Sequence, residues 1–170
     1  HVIRVKPFPL IITPKKNSTT EEFKLAAIKA FANYRKKYIH YFNVNHKKVK
    51  EKKVMLDTSP RVILVQNVGM FSVGKDLNSA RIAGDLTDTN ARVITSVEET
   101  STYKFIPEKD LFDVEYWSLE QAKIKKKKKL LEGNVVVITG STGTIGFETY
   151  KIFKNYGAEV VLLDNNLERL

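Results

Sequence analysis

The chain has 170 residues, 42% of them hydrophobic and 28% charged, enough for one domain or for one domain and part of a second. The absence of cysteine excludes a disulfide framework and a thiolate metal site. No apolar run is long enough to span a bilayer and no signal-peptide pattern is present, so a cytoplasmic chain without a membrane partner is expected. The formal net charge of +10 comes from the first 60 residues, with 14 Lys/Arg against 4 Asp/Glu, while residues 61–170 carry 15 of each. Such an excess can mark a nucleic-acid surface. The basic residues form no Arg-rich recognition pattern and fall on helix faces and loops, so a solvated basic face is the preferred reading and no nucleic-acid partner is expected.

Residues 1–14 place Ile3, Val5, Phe8, Leu10 and Ile12 among Pro7, Pro9 and Pro14, which reads as an extended arm or an edge strand. Ser18/Glu21 or Thr19/Glu22 can then form a capping box. From there Phe23, Ala27, Ala30, Phe31, Tyr34, Tyr38 and Tyr41 recur at helical spacing, and predict a helix of about six turns with one apolar stripe. His40 and His46 flank its end without a second ligand cluster, and both read as surface histidines. Lys47 to Lys53 form a charged loop, and Pro60 marks the next boundary.

Val62 to Val65 is a short buried-type strand, and residues 66–74 extend it into a hairpin. Asp76 can cap a long helix with Leu77, Ala80, Ala83, Val93, Ile94 and Val97 on its buried side. Pro107 opens a further helix, with apolar positions Leu111, Phe112, Tyr116, Leu119 and Ala122. Lys125 to Lys129 is a self-repelling run that reads as a linker. The expected organisation is therefore 1–124, a basic linker 125–131, and 132–170.

The last stretch carries the chemistry. Val135 to Gly146 reads Val-Val-Val-Ile-Thr-Gly-Ser-Thr-Gly-Thr-Ile-Gly, an apolar strand that breaks into a glycine-rich loop before a helix over 147–156. A second apolar run, Ala158 to Leu163, ends at Asp164, 18 residues after Gly146. This is the order of a dinucleotide-binding βαβ start: Gly140 permits the turn, Gly143 lets the backbone approach a pyrophosphate, and Gly146 lets the helix pack closely. Gly140, Ser141, Thr142, Gly143, Ile145 and Gly146 are the candidate pyrophosphate contacts, and Asp164 the candidate ribose acceptor. A carboxylate there favours NAD over NADP because it repels a 2′-phosphate; the nearest arginine, Arg169, is five residues on. Tyr150 and Lys154 have Tyr-x-x-x-Lys spacing, but on the helix after the loop they read as inert. No catalytic acid, base or nucleophile is assigned.

The Thr139-to-Gly146 string resembles the short-chain dehydrogenase/reductase family, with Thr144 where the commonest form has glycine. Pro60 to Asp76, followed by Ala80-Arg-Ile-Ala-Gly84, resembles the end of a class II aldolase region. Phe112-Asp-Val-Glu-Tyr-Trp-Ser-Leu-Glu-Gln-Ala-Lys123 resembles the helix that precedes a short-chain dehydrogenase in fusion proteins. Together they resemble the bifunctional rhamnulose-1-phosphate aldolase/short-chain alcohol dehydrogenase family.

The resemblance implies an α/β fold: the distal part of a class II aldolase-like region, then the start of a Rossmann domain with a doubly wound parallel sheet. It implies an NAD-dependent oxidoreductase acting on a small molecule such as lactaldehyde, joined to a lyase and forming a homo-oligomer when intact. The chain is expected to be an internal piece of such a protein and inactive alone. The family's aldolase half uses a divalent metal, zinc in type, to polarise a ketose-phosphate carbonyl. Its ligands are expected upstream, because the turn that resembles the family's Asn-His-Gly is Asn67-Val68-Gly69 here and valine binds no metal. Two other readings remain open: a non-catalytic nucleotide-sensing or scaffold protein built on a Rossmann start, and a basic nucleic-acid-binding module.

Overall fold

A computed structural model describes residues 2–123, 129–166 and 168. The lysine run is therefore outside the described residues except for Lys129, as are His1 and Arg169. The chain divides into two compact units, residues 1–74 with 79–125 and residues 75–78 with 126–170. Both are mixed α/β and both contain a parallel strand pair.

The first unit opens with a single helical turn, α1 (Val2–Val5), where the proline-rich arm was expected to be extended. The Lys6 amide closes that turn on the Val2 carbonyl at 2.8 Å. Lys6 itself turns left-handed at φ 68°, and Pro7 cannot extend a helix, so the chain straightens into β1 (Leu10–Ile12). β1 is the edge strand that the prolines predict. It pairs in parallel with β2 (Val62–Val65), whose other side pairs antiparallel with β3 (Gly69–Ser72) across the 66–68 turn.

Between β1 and β2 runs α2 (Thr20–His46), 27 residues long. Of the two possible capping boxes the chain forms Thr19/Glu22: the Glu22 amide donates to Thr19 Oγ1 at 3.3 Å and the Thr19 amide donates to Glu22 Oε2 at 2.8 Å. Its stripe buries Tyr34, Tyr38 and Tyr41, and Phe42 and Asn45 join them. Phe31 is exposed, because the face that meets the rest of the unit narrows around the tyrosine row. The core joins this row to Leu10, Ile12, Val65, Phe112 and Tyr116. Phe112 and Tyr116 stack at 4.6 Å, and Phe8 meets Tyr34 edge-on at 5.3 Å.

The helix expected after Asp76 is α3 (Leu77–Glu98), but of its expected buried side only Ala83 is buried, and Leu77 and Val93 are exposed. The single helix expected after Pro107 is two, α4 (Glu108–Glu115) and α5 (Ser118–Ala122). Tyr116 leaves helical geometry (φ −101°, ψ 12°) and Trp117 is extended. The Tyr116 ring is drawn into the core and its hydroxyl meets that of Tyr38 at 2.8 Å. Leu119 and Ala122, beyond the break, stay exposed.

In the second unit, β4 (Val135–Thr139) and β5 (Glu159–Leu163) pair in parallel with Val135 opposite Glu159 and Thr139 opposite Leu163. α6 (Thr144–Asn155) connects them and packs on both. Antiparallel or unpaired strands would have contradicted the βαβ reading. After α6 the chain reverses through Gly157 at φ 94°, a conformation that suits glycine, and Ala158 is fully packed before β5 begins.

Candidate functional site

The candidate site lies where β4 ends. In parallel α/β sheets, ligands bind outside the carboxyl ends of the strands, and there the predicted loop residues come together. Gly140 takes φ 65°, which turns the chain sharply off Thr139. Gly143 then serves as the N-cap of α6, in extended geometry and without any side-chain cap. The first intrahelical bond runs from the Phe147 amide to the Gly143 carbonyl at 2.9 Å. The amides of Thr144, Ile145 and Gly146 thus lie in the first turn, where a helix has no internal acceptors, and they can donate to an anionic ligand.

Gly146 is required by close approach. A Cβ built there would lie 2.3 Å from the Gly140 carbonyl oxygen and 2.8 Å from Ser141 Cα, so only glycine lets α6 begin this near the loop. Gly143 is less confined, its Cβ meeting the same oxygen at 3.4 Å. Ser141 is 2% exposed, and both its amide and its hydroxyl donate to the Leu163 carbonyl at 3.3 Å. Its side chain therefore binds the loop to the end of β5. Ile145 is 84% exposed, and its amide lies in the first turn of α6.

Asp164 follows β5 directly and reaches the same loop. Its Oδ2 accepts from the Thr142 amide at 2.8 Å and its Oδ1 from the Asn166 amide at 3.0 Å. These amide bonds, that of Thr142 first, hold its carboxyl below the usual carboxylate range. The carboxylate therefore stands ionised at the loop and fixes its shape. Sequence spacing gave the position of Asp164 but not this bond, because a loop's path between two strands is not encoded in residue separation.

Tyr150 and Lys154 have partners on α6 and β5 rather than in the glycine-rich loop. The Tyr150 ring stacks on Phe147 at 6.0 Å, and Lys154 Nζ pairs with Glu159 at 3.3 Å. No group of three or more His, Asp or Glu among the described residues could hold a metal ion. His40 is exposed, and His46 stacks on Phe42 at 5.1 Å. Val68 of the Asn67-Val68-Gly69 turn is exposed, with Asn67 at φ 61°; the donor set for a metal is not present there.

The first unit holds a cluster that sequence patterning missed. Lys6 Nζ, nearly buried, donates to the Tyr38 hydroxyl and to the Asp57 carbonyl, both at 2.8 Å, and lies 3.7 Å from Glu115 Oε1. Tyr38 donates to the same carboxylate oxygen at 2.8 Å. The Tyr41 hydroxyl lies beside Glu115 without closing a hydrogen bond to it, and Glu115 Oε2 is unpartnered. Burial lowers the Lys6 ammonium and raises the Glu115 carboxyl, each partly opposed by the other's charge. Burial also pushes the Tyr116 hydroxyl up to about 12. This cluster lies inside the core and joins Lys6, α2, the 56–57 segment and α4, which makes it an internal tie.

Comparison with known proteins adds the family. The family described as aldolase class II, second domain, matches residues 1–124. The uncharacterized oxidoreductase YuxG of Bacillus subtilis (strain 168) is 27% identical over 172 residues, covering 99% of this chain and 24% of that protein. Short-chain dehydrogenase reductase 4 of Arabidopsis thaliana is 35% identical over 60 residues, 33% of this chain and 20% of that protein. The chain thus spans about a quarter or less of the curated relatives it matches. No solved structure matches the chain significantly.

Proposed function

Since the chain belongs, over residues 1–124, to the class II aldolase second-domain family, we propose that it joins an aldolase-related region to the nucleotide-binding start of an NAD-dependent short-chain dehydrogenase. The whole protein is read as a cytoplasmic bifunctional enzyme of sugar catabolism, of the rhamnulose-1-phosphate aldolase/dehydrogenase type, oxidising a small alcohol or aldehyde such as lactaldehyde. The observation that carries this reading is the loop between parallel β4 and β5. Its turn is made by Gly140, its helix starts uncapped, and Gly146 admits the close approach. A match to a dehydrogenase over part of the chain, and to an oxidoreductase over nearly all of it, supports the same reading.

In this reading the bound NAD supplies the hydride acceptor. The α6 first-turn amides hold the pyrophosphate, and Gly143 keeps the loop open to it. Asp164, ionised and adjacent, accepts from the ribose hydroxyls and repels a 2′-phosphate. The described residues hold no donor set for the aldolase metal, so aldol cleavage belongs to other parts of such a protein and no step is assigned to this chain.

The test is titration of the chain with NAD and NADP, followed by calorimetry. NAD should bind more tightly, and Asp164→Ala should weaken NAD while narrowing the gap to NADP. Equal affinity for both cofactors in parent and variant would overturn the assignment.

A further inference from the structure

Every backbone amide from Ser141 to Gly143 already has an acceptor. The Ser141 amide and hydroxyl both donate to the Leu163 carbonyl at 3.3 Å, the Thr142 amide to Asp164 Oδ2 at 2.8 Å, and the Gly143 amide to the Gly140 carbonyl at 3.2 Å. The next three amides, those of Thr144, Ile145 and Gly146, have no acceptor among the described residues. Backbone donors without a partner in the protein are the ones left for a ligand. A phosphate is therefore met by the first turn of α6, and residues 141–143 hold that turn in place.

What holds residues 141–143 is the end of β5. Ser141 is buried, and Leu163 and Asp164 receive the loop at two consecutive positions. Asp164 is fixed in turn by the Asn166 amide, which donates to Oδ1 at 3.0 Å. Each carboxylate oxygen keeps a second lone pair, so a ribose hydroxyl can donate there without displacing Thr142. The residue assigned to the ribose and the segment that carries the phosphate donors are thus one hydrogen-bonded unit before a nucleotide arrives. A site organised in advance loses less freedom on binding.

Resting on the nucleotide-binding reading above, we propose that Ser141 and Asp164 are positioning residues for the phosphate half of the site, stapling the glycine-rich loop to the end of β5 and so aiming the α6 first-turn amides at the pyrophosphate. Asp164 then has two roles, accepting from the ribose and holding the loop. A ligand without ribose hydroxyls still depends on it.

Calorimetry of the full 170-residue chain with ADP and with 2′,3′-dideoxyadenosine diphosphate separates the two roles. The second probe keeps the adenine and both phosphates and offers Asp164 no hydroxyl. Asp164→Ala should weaken the dideoxy probe by about fivefold, even though it removes a negative charge that repels phosphate, and should weaken ADP further. Ser141→Ala removes a hydroxyl already committed to Leu163, and should weaken both probes by one common factor of about two to three. Circular dichroism checks folding, and the serine variant carries the test should the aspartate variant not fold. Affinity for the dideoxy probe that is unchanged or raised in Asp164→Ala, with ADP weakened, would leave Asp164 a ribose acceptor alone and overturn the staple. No loss in Ser141→Ala, or a loss confined to one probe, would overturn the role of Ser141. A parent chain that binds neither probe would overturn the nucleotide-binding reading and this proposal with it.

Discussion

A methyl group at Gly146 would meet the backbone of Gly140 and Ser141 at 2.3 and 2.8 Å, and neither neighbour is a flexible side chain that could yield. Gly146→Ala must therefore push α6 away from the loop. The expected cost is about 1–3 kcal/mol of stability in the second unit, together with loss of NAD binding. Denaturant unfolding and calorimetry measure the two effects, and an unchanged midpoint would contradict the close packing. Asp164 gives a second residue-scale outcome. Its folded carboxyl is depressed by the Thr142 amide, so its contribution is present above the unfolded value of about 3.9 and is lost as pH falls through the folded value. The Thr142 amide resonance should titrate below that unfolded value and cease to titrate in Asp164→Asn. Titration of the parent at or above the ordinary carboxylate value would show that the bond is not made.

Among elements, the tie between the N-terminal segment, α2 and α4 is the most sensitive. Lys6 and Glu115 are both buried, so removing one leaves the other as an uncompensated charge in the core. Lys6→Met alone should cost about 3 kcal/mol or more, and Lys6→Met/Glu115→Gln should recover part of that loss. Additive losses in a double-mutant cycle would mean that the two groups are not coupled. One expected helix is two, α4 and α5. Tyr116, one turn after Phe112, keeps the core face and meets Tyr38, and the backbone leaves helical geometry at Tyr116 and Trp117. Periodicity in sequence showed Phe112 and Tyr116 as apolar positions but could not show that Tyr116 ends the helix.

For the whole molecule, the basic surplus of residues 1–60 sits next to a neutral remainder. Many of those lysines, including Lys15, Lys16, Lys24 and Lys29, lie on exposed loops or helix faces. Binding to duplex DNA should therefore be weak, unsaturable and abolished by moderate salt, as measured by fluorescence anisotropy. Saturable binding that persists at moderate salt would favour the nucleic-acid reading over the nucleotide one.

The sequence by itself determined the order of elements and the position of the glycine-rich loop. Period-two and period-3.6 patterns and the residues at turns and caps are local properties, so β2, β3, α2, α3, β4, α6 and β5 were all legible, as were Gly140 to Gly146 and Asp164. The choice of Thr19/Glu22 over Ser18/Glu21, the turn at Val2–Val5, the exposure of Phe31 and α3, and the break at Tyr116 were decided by tertiary structure. So were the Thr142–Asp164 bond and the Lys6–Tyr38–Glu115 tie. Each of these depends on which distant side chain meets the local one. A buried lysine is written in the sequence in the same letters as an exposed one, and only its neighbours across 32 and 109 residues (Tyr38 and Glu115) make it a core residue.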